Sequence, residues 1–415
     1  MPFSFSTALS GLRASSNSLG VTGNNIANAN TTAYKSSSIT FADIFTNSLG
    51  VRLNGSGSAM QIGSGVATAS IPTNFTQGNL TDSSSPTAAG IQGTGFFVVK
   101  SATGAQVYTR AGDFGIDHNG FLVAPDGSQI QGYAAVGVTI PAGGALTSIK
   151  IPIGEITAPV ATTQLTLKMN LNSADGAGSI FHAPSQVLDS KGVAHALDLT
   201  FTKQTDGSYQ VAGSLDGNAA TISAPSTLTF DSNGLLTAPA TLSIVPNQAM
   251  LNGATLPSIN VNLYKTNPDG TQGSANITNF AVTSAVAAIE QDGFVAGSLT
   301  GLSMSANHDG VISAVFSNGQ VRPIAQFALA TFNSQDGLTR LGGNTFGETA
   351  GSGQASIGTA GSGGRGIVVG NALEQSNVDL AGEFTDLIVA QRSFQANSKV
   401  IQTISQTLQD LIQNV

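Results

Sequence analysis

The side chains best equipped for chemistry are four histidines, His118, His182, His195 and His308. No two of them share the H-x-x-x-H spacing that presents ligands on one helix face. Coordination needs several convergent ligands, so solvated turn or strand positions are expected instead. Asp117-His118-Asn119-Gly120 and Asp231-Ser232-Asn233-Gly234 begin like calcium loops. Both lack the third ligand and the bidentate Glu, which makes them hairpin turns. Gly361, Gly363 and Gly366 fit G-x-G-x-x-G with no βαβ context, and read as a flexible linker. No serine occupies a G-x-S-x-G elbow, and no carboxylate pair adjoins a nucleophile. The residues predict no enzyme, no cofactor and no metal.

The bulk composition suits a different role. The chain has 415 residues, enough for several domains, yet only 9% are charged, with 50 glycines and neither tryptophan nor cysteine. With a mean hydropathy of +0.14, such a chain has a mild, neutral surface. Surfaces of that kind pack closely because little charge has to be desolvated. The net charge of −8 forms no basic patch, so nucleic acid is not an expected partner. No apolar run is long enough for a membrane span. Met1 to Leu12 lacks the features of a cleaved secretory signal, although the composition points outside the cell.

The elements follow from periodicity. Leu165, Leu167, Met169 and Leu171 alternate, as do Val193, His195, Leu197, Leu199 and Phe201, then Ile259, Val261 and Leu263. Period two, punctuated by Asp-Gly and Asn-Gly pairs, predicts half-buried antiparallel strands through the middle of the chain. The ends keep another rhythm. Phe5, Leu12, Leu19 and Ile26 recur every seven residues, with Leu9, Ser16 and Gly23 between. Leu373, Leu380, Leu387, Phe394, Ile401 and Leu408 do the same, with Asn377, Phe384, Gln391, Ser398, Ser405 and Ile412 between. Heptad stripes predict helices that supercoil along a shared seam. Gly11, Gly20 and Gly23 weaken the first helix, so it needs neighbours to fold. Asn24, Asn25, Asn28 and Asn30 cluster at its end, where they can satisfy backbone groups or bond a neighbouring subunit.

The fold class expected is α+β, mainly β, on a discontinuous chain. Residues 1–32 with 372–415 form a coiled-coil-like helical domain. Residues 33–75 with 342–371 are linkers, being rich in Gly and Ser around Leu53–Gly65 and Gly342–Gly370. Residues 76–145 with 287–341 form a middle β-domain, and 146–286 form an outer one.

Leu9 to Lys35, LSGLRASSNSLGVTGNNIANANTTAYK, closely resembles the N-terminal signature of the flagellar rod and hook protein family. Ala372 to Ser398, ALEQSNVDLAGEFTDLIVAQRSFQANS, is similar to its C-terminal signature. QGTGFFVV at Gln92–Val99 and YTRAGDFGIDHNGFLV at Tyr108–Val123 support them, and Leu188 to Lys203 is similar to the start of the hook-type insertion. The resemblance implies a subunit of a self-assembling curved tube that transmits torque from rod to filament. It implies type III export without a cleaved signal, and an extracellular place on the flagellum. It also implies as partners further copies of the chain, the distal rod protein, the hook-filament junction protein, the hook cap and the export apparatus. Subunit contacts would fall on Phe5, Leu9, Leu12, Leu19, Asn24, Asn25, Ile26 and Asn28. At the other end they would fall on Leu373, Asn377, Leu380, Phe384, Leu387, Phe394, Ile401 and Leu408. A distal rod protein is the near alternative, and a secreted β-rich adhesin or hydrolase the distant one.

Overall fold

The computed structural model describes residues 2–44, 47–48, 61–141, 143–248, 251, 253–266 and 272–413. The chain is mainly β with one helix at each end, α1 at Pro2–Ala27 and α2 at Leu380–Gln413. It divides into two compact units. The first holds Met1–Pro152, Gly301–Ala314 and Arg322–Val415, and the second holds Ile153–Thr300 and Val315–Val321. No helix among the described residues is long and apolar enough to cross a membrane.

In the first unit the Phe96–Lys100 strand pairs antiparallel with Gln106–Thr109, Gln129–Ala134 and Val321–Thr331. Alternation sends Phe96 and Phe97 to opposite faces. Phe96 packs among Phe75, Phe332 and Phe346, with ring centroids 5.6–5.8 Å away. Phe97 packs against Phe114 at 5.1 Å and Phe327 at 5.3 Å. The strand is thus buried on both sides, as its continuous apolar run suggests. Gly112 sits so tightly over the neighbouring chain that a Cβ there would lie 1.6 Å from the Ala89 carbonyl oxygen. Only glycine fits this approach.

The Gly-rich stretch from 342 to 371 is not a linker. Thr345–Gly347 pairs with Gln106–Thr109, Ser356–Thr359 with Val321–Thr331, and Ile367–Gly370 with Ala89–Gln92. Between the last two of these strands, Gly361 N–H donates to Gly366 O at 2.9 Å, closing a tight turn where Gly361 takes φ +71°. Its glycines serve turn geometry, so the flexible-linker reading of Gly361, Gly363 and Gly366 is corrected. The companion stretch Leu53–Gly65 lies largely outside the described residues. What is described of 33–75 is also ordered, with Thr40–Asp43 pairing against Val66–Ser70.

The second unit follows the period-two pattern closely. Ile180–Leu188, Ala194–Lys203 and Tyr209–Leu215 form an antiparallel run. Gln164–Asn170 pairs antiparallel with Ala285–Gln291 but parallel with Ile259–Asn262, which departs from the antiparallel pairing expected of these runs. Leu165, Leu167, Leu171, Leu197, Leu199, Phe201, Ile259, Val261 and Leu263 are buried in one core cluster. Val193 departs from the pattern: it lies in the turn before the strand and is 53% exposed. Asp117 and Asp231 each accept two backbone N–H bonds within their own turn, at 2.7–2.9 Å, which uses their carboxylates as hairpin braces.

Phe201, fully buried at the centre of that core, tests the unit. Phe201→Ala should lower its stability by about 3–5 kcal/mol, read as an earlier denaturant midpoint. An unshifted midpoint would show that the cluster does not hold the unit together.

Candidate functional site: where the two ends of the chain meet

The two ends converge in the first unit, where α1 and α2 pack together. Asn25 Nδ2 donates to Glu383 Oε1 at 2.8 Å, and a Cβ on Gly11 would lie 2.9 Å from the Asn397 side chain. Positions rising along one helix meet positions falling along the other, so the pair is antiparallel. Among the described side chains, Ala8, Ala14, Ser15, Thr22 and Asn25 are the buried residues of α1, and Ala390 is their counterpart on α2. Small side chains let helix axes approach closely.

The seam is therefore not the apolar heptad of α1. At about 100° per residue, Leu12 and Leu19 stand on the flank of the Gly11–Ser15–Thr22 stripe. Leu9, Leu12, Leu19 and Ile26 are half-buried, and Phe5 is 45% exposed. On α2, Leu387, Phe394 and Ile401 border the seam and are half-buried, while Leu380 and Phe384 are exposed. Leu408 points along the seam but lies beyond the start of α1, and is exposed too. Leu373 is a further correction. It sits in the Ala372–Glu374 strand, opposite Thr81, and α2 starts only after Asp379. The Asp379 carboxylate accepts the Ala381 N–H at 3.0 Å and so caps the helix. The heptad register continues upstream of a helix that has not begun.

The asparagines prove to be internal fasteners. Asn25 is buried, its Oδ1 accepts from Ser37 N–H at 3.0 Å and from Tyr34 O–H at 3.2 Å, and its Nδ2 donates to Ser37 O as well as Glu383. Its bonding capacity is used within the chain. Asn377 behaves likewise: Oδ1 accepts from Ser36 N–H at 2.8 Å, and Nδ2 donates to Asn74 O at 2.8 Å. For these two residues the observed hydrogen bonds are intrachain. Asn28 donates to Asn24 O at 2.9 Å and accepts from Thr31 at 3.1 Å, finishing the helix end. Asn24 is exposed and accepts the Tyr34 hydroxyl at 2.7 Å. Burial pushes the Glu383 carboxyl up, the Asn25 bond opposes it, and Asp386 and Asp379 add to the rise.

Beneath the fasteners lies a buried ionic hub. Glu374 Oε1 is 2.6 Å from Lys35 Nζ, and Oε2 is 3.3 Å from Arg110 Nη1, with all three side chains at most 3% exposed. Lys35 also donates to Thr76 O at 2.8 Å, Gly78 N–H donates to Glu374 Oε1 at 2.8 Å, and Arg110 donates to Gly93 O at 2.7 Å. Burial pulls the Lys35 and Arg110 basicities down, and the Glu374 charge opposes the fall in both. Arg340 adds an outer layer, bonding the Lys35 carbonyl and stacking 5.4 Å from the Tyr34 ring. Sequence reasoning passes over Lys35, Arg110 and Glu374. The available signal was their presence inside the quoted signatures of a chain with so few charges.

Comparison with known proteins follows the same layout. Residues 5–35 match the family model described as flagella basal body rod protein, and 369–414 match flagellar basal body rod FlgEFG protein C-terminal. Residues 90–158 match flagellar hook protein FlgE/F/G D1 domain, and 161–294 match flagellar basal body protein FlaE D2 domain. The chain is 35% identical to the flagellar hook protein FlgE of Salmonella typhimurium, over 99% of both chains. It is 33% identical to that of Treponema pallidum, over 98% of both. The crystal structure of Helicobacter pylori flagellar hook protein FlgE2 aligns with a TM-score of 0.52 at 14% identity, covering 71% of this chain and all of that one.

Removing Glu374 strands two buried cations. Glu374→Gln should destabilise the first unit by about 3–5 kcal/mol, measured by chemical unfolding followed through the first unit's tyrosines. A loss below about 1 kcal/mol, the range of a surface pair, would show that the hub is not holding the ends together.

Proposed function

The chain belongs to the flagellar hook protein family, and from that premise we propose how its ends build the polymer. It is a structural subunit of the bacterial flagellar hook. The observation that carries the assembly reading is the uncovered flank of the helical pair. The seam uses Gly11, Ser15 and Asn397, and leaves Phe5, Leu9, Leu12, Leu19, Leu380, Phe384 and Leu408 wholly or partly exposed. An apolar heptad left only partly covered among the described residues is the form of a surface that neighbouring copies cover. In this reading, small-residue packing makes the hairpin and the apolar flank makes the tube.

The hub then ties each subunit's helical pair to its β-structure, so a turning force on the helices reaches the rest of the unit. Subunit contacts with few ion pairs suit a joint that bends as it turns, since no directional charge pair has to break. The segment 342–371, being built into the sheet, is not the source of that compliance. Export through the flagellar type III apparatus fits a chain with no disulfide to form, and places the subunit outside the cell. The distal rod protein, the hook-filament junction protein and the hook cap are the partners expected at the tube's ends. A rod role is the weaker reading, because the second unit is an addition a straight shaft does not require.

Leu12→Asp with Leu19→Asp should leave the monomer folded, with an unfolding free energy changed by no more than about 1 kcal/mol. It should also abolish tube formation when the protein is concentrated or salted out. Curved tubes seen by electron microscopy for this variant would remove the flank from the interface.

A further inference from the structure

His195 in the second unit is placed unlike any other histidine of the described chain. Its ring is held between two carboxylates, with Nδ1 2.7 Å from Asp216 Oδ2 and Nε2 3.3 Å from Asp189 Oδ2, and the side chain is 11% exposed. An ionised carboxylate only accepts, so both ring nitrogens must carry hydrogen for both bonds to form. The two acids are themselves committed to turns. Asp189 Oδ1 accepts from Lys191 and Val193 N–H, both at 2.8 Å, shaping the turn before His195. Asp216 Oδ1 accepts from Ala196 N–H at 2.9 Å, and its own backbone is left-handed at φ +48°. The imidazole therefore stitches the 189–193 turn to the turn at 215–218, across the Ala194–Lys203 and Tyr209–Leu215 strands. The other charged group of these turns, Lys191, has its Nζ beside Gly253.

We propose that His195 is a pH-operated clamp: as an imidazolium it bonds both turns, and loss of one ring proton releases one of them. Deprotonation leaves a nitrogen lone pair facing a carboxylate oxygen, which is repulsive. Burial works against the charged ring, but the hydrogen bonds and charges of Asp216 and Asp189 outweigh it and raise the His195 basicity. Burial raises Asp189, and its bonds to Val193, His195 and Lys191 more than reverse this, so it ends lowered. The His195 bond lowers Asp216, and the Ala196 N–H adds to it. A raised histidine contributes stability that is complete below the unfolded value near 6.5 and is lost as pH climbs through the folded value. The lowered acids contribute stability that is present above their unfolded value, about 3.9, and is lost as pH falls through their folded values. The second unit is thus held best between these limits and loosens in alkaline medium, independently of how the helices assemble.

The test uses the full chain labelled with 15N-histidine, its ring nitrogen shifts followed from about pH 5 to pH 10. One ring should titrate above the ordinary value of about 6.5, in the direction set by its two carboxylate partners. Asp216→Asn should move that titration down, because the ring loses a charged hydrogen-bond acceptor. His195→Gln should remove the signal and flatten the fall in denaturant midpoint between about pH 6 and pH 9. A His195 ring that titrates at or below the ordinary value overturns the clamp, as does a titration indifferent to Asp216→Asn. Should His195→Gln fail to fold, the titration of the natural chain still decides.

Discussion

A single buried carboxylate holds the joint of this molecule. Glu374 reaches Lys35 at 2.6 Å and Arg110 at 3.3 Å with all three side chains out of solvent. Charges removed from water are tolerated only when paired and hydrogen-bonded. Here the supporting bonds come from the Thr76, Gly78 and Gly93 backbone, so segments remote in sequence must arrive together. The ionic group is weak evidence of stability for its own sake. Its value is specificity: few other placements of the two chain ends satisfy those charges.

That constraint explains the division of labour on the helices. Once the hub sets where α1 ends and α2 begins, Asn25 and Asn377 mimic backbone by exchanging bonds with Ser37 and with Ser36 and Asn74. The seam that follows is small and polar at Gly11, Ser15 and Asn397. Such a seam buries little apolar area and contributes modestly to stability. It leaves Leu12, Leu19, Leu387 and Phe394 half-buried and Phe5, Leu380 and Phe384 exposed on the helical pair.

Charge is scarce in this chain, and its placement is correspondingly informative. In the first unit buried charge is gathered at the hub; in the second, buried Asp189 and His195 pair beside the half-exposed Asp216, while buried Lys203 bonds the Ser173 and Asp175 carbonyls. Both are points where distant turns or strands must be held in register. The remaining surface is neutral enough for close packing without much desolvation.

The sequence by itself determined three strands of the second unit, around Leu165–Leu171, His195–Phe201 and Ile259–Leu263, the existence of a helix at each end, the absence of long β-α alternation and the family. These rest on local periodicity and on long contiguous signatures, which need no knowledge of distant contacts. Tertiary structure decided the rest. Heptad counting could not reveal that α1 turns its small residues inward, because a helix with two usable stripes is ambiguous until its partner is placed. Nor could it exclude Leu373 from α2, since a seven-residue interval carries no mark of where a helix begins. Gly342–Gly370 reads as a linker by composition, yet glycine also permits the tight turns that let short strands join a sheet. Lys35, Arg110 and Glu374 lie far apart along the chain, and only folding makes them one group. A local pattern reports local geometry, whereas burial of a charge is settled by every segment that closes around it.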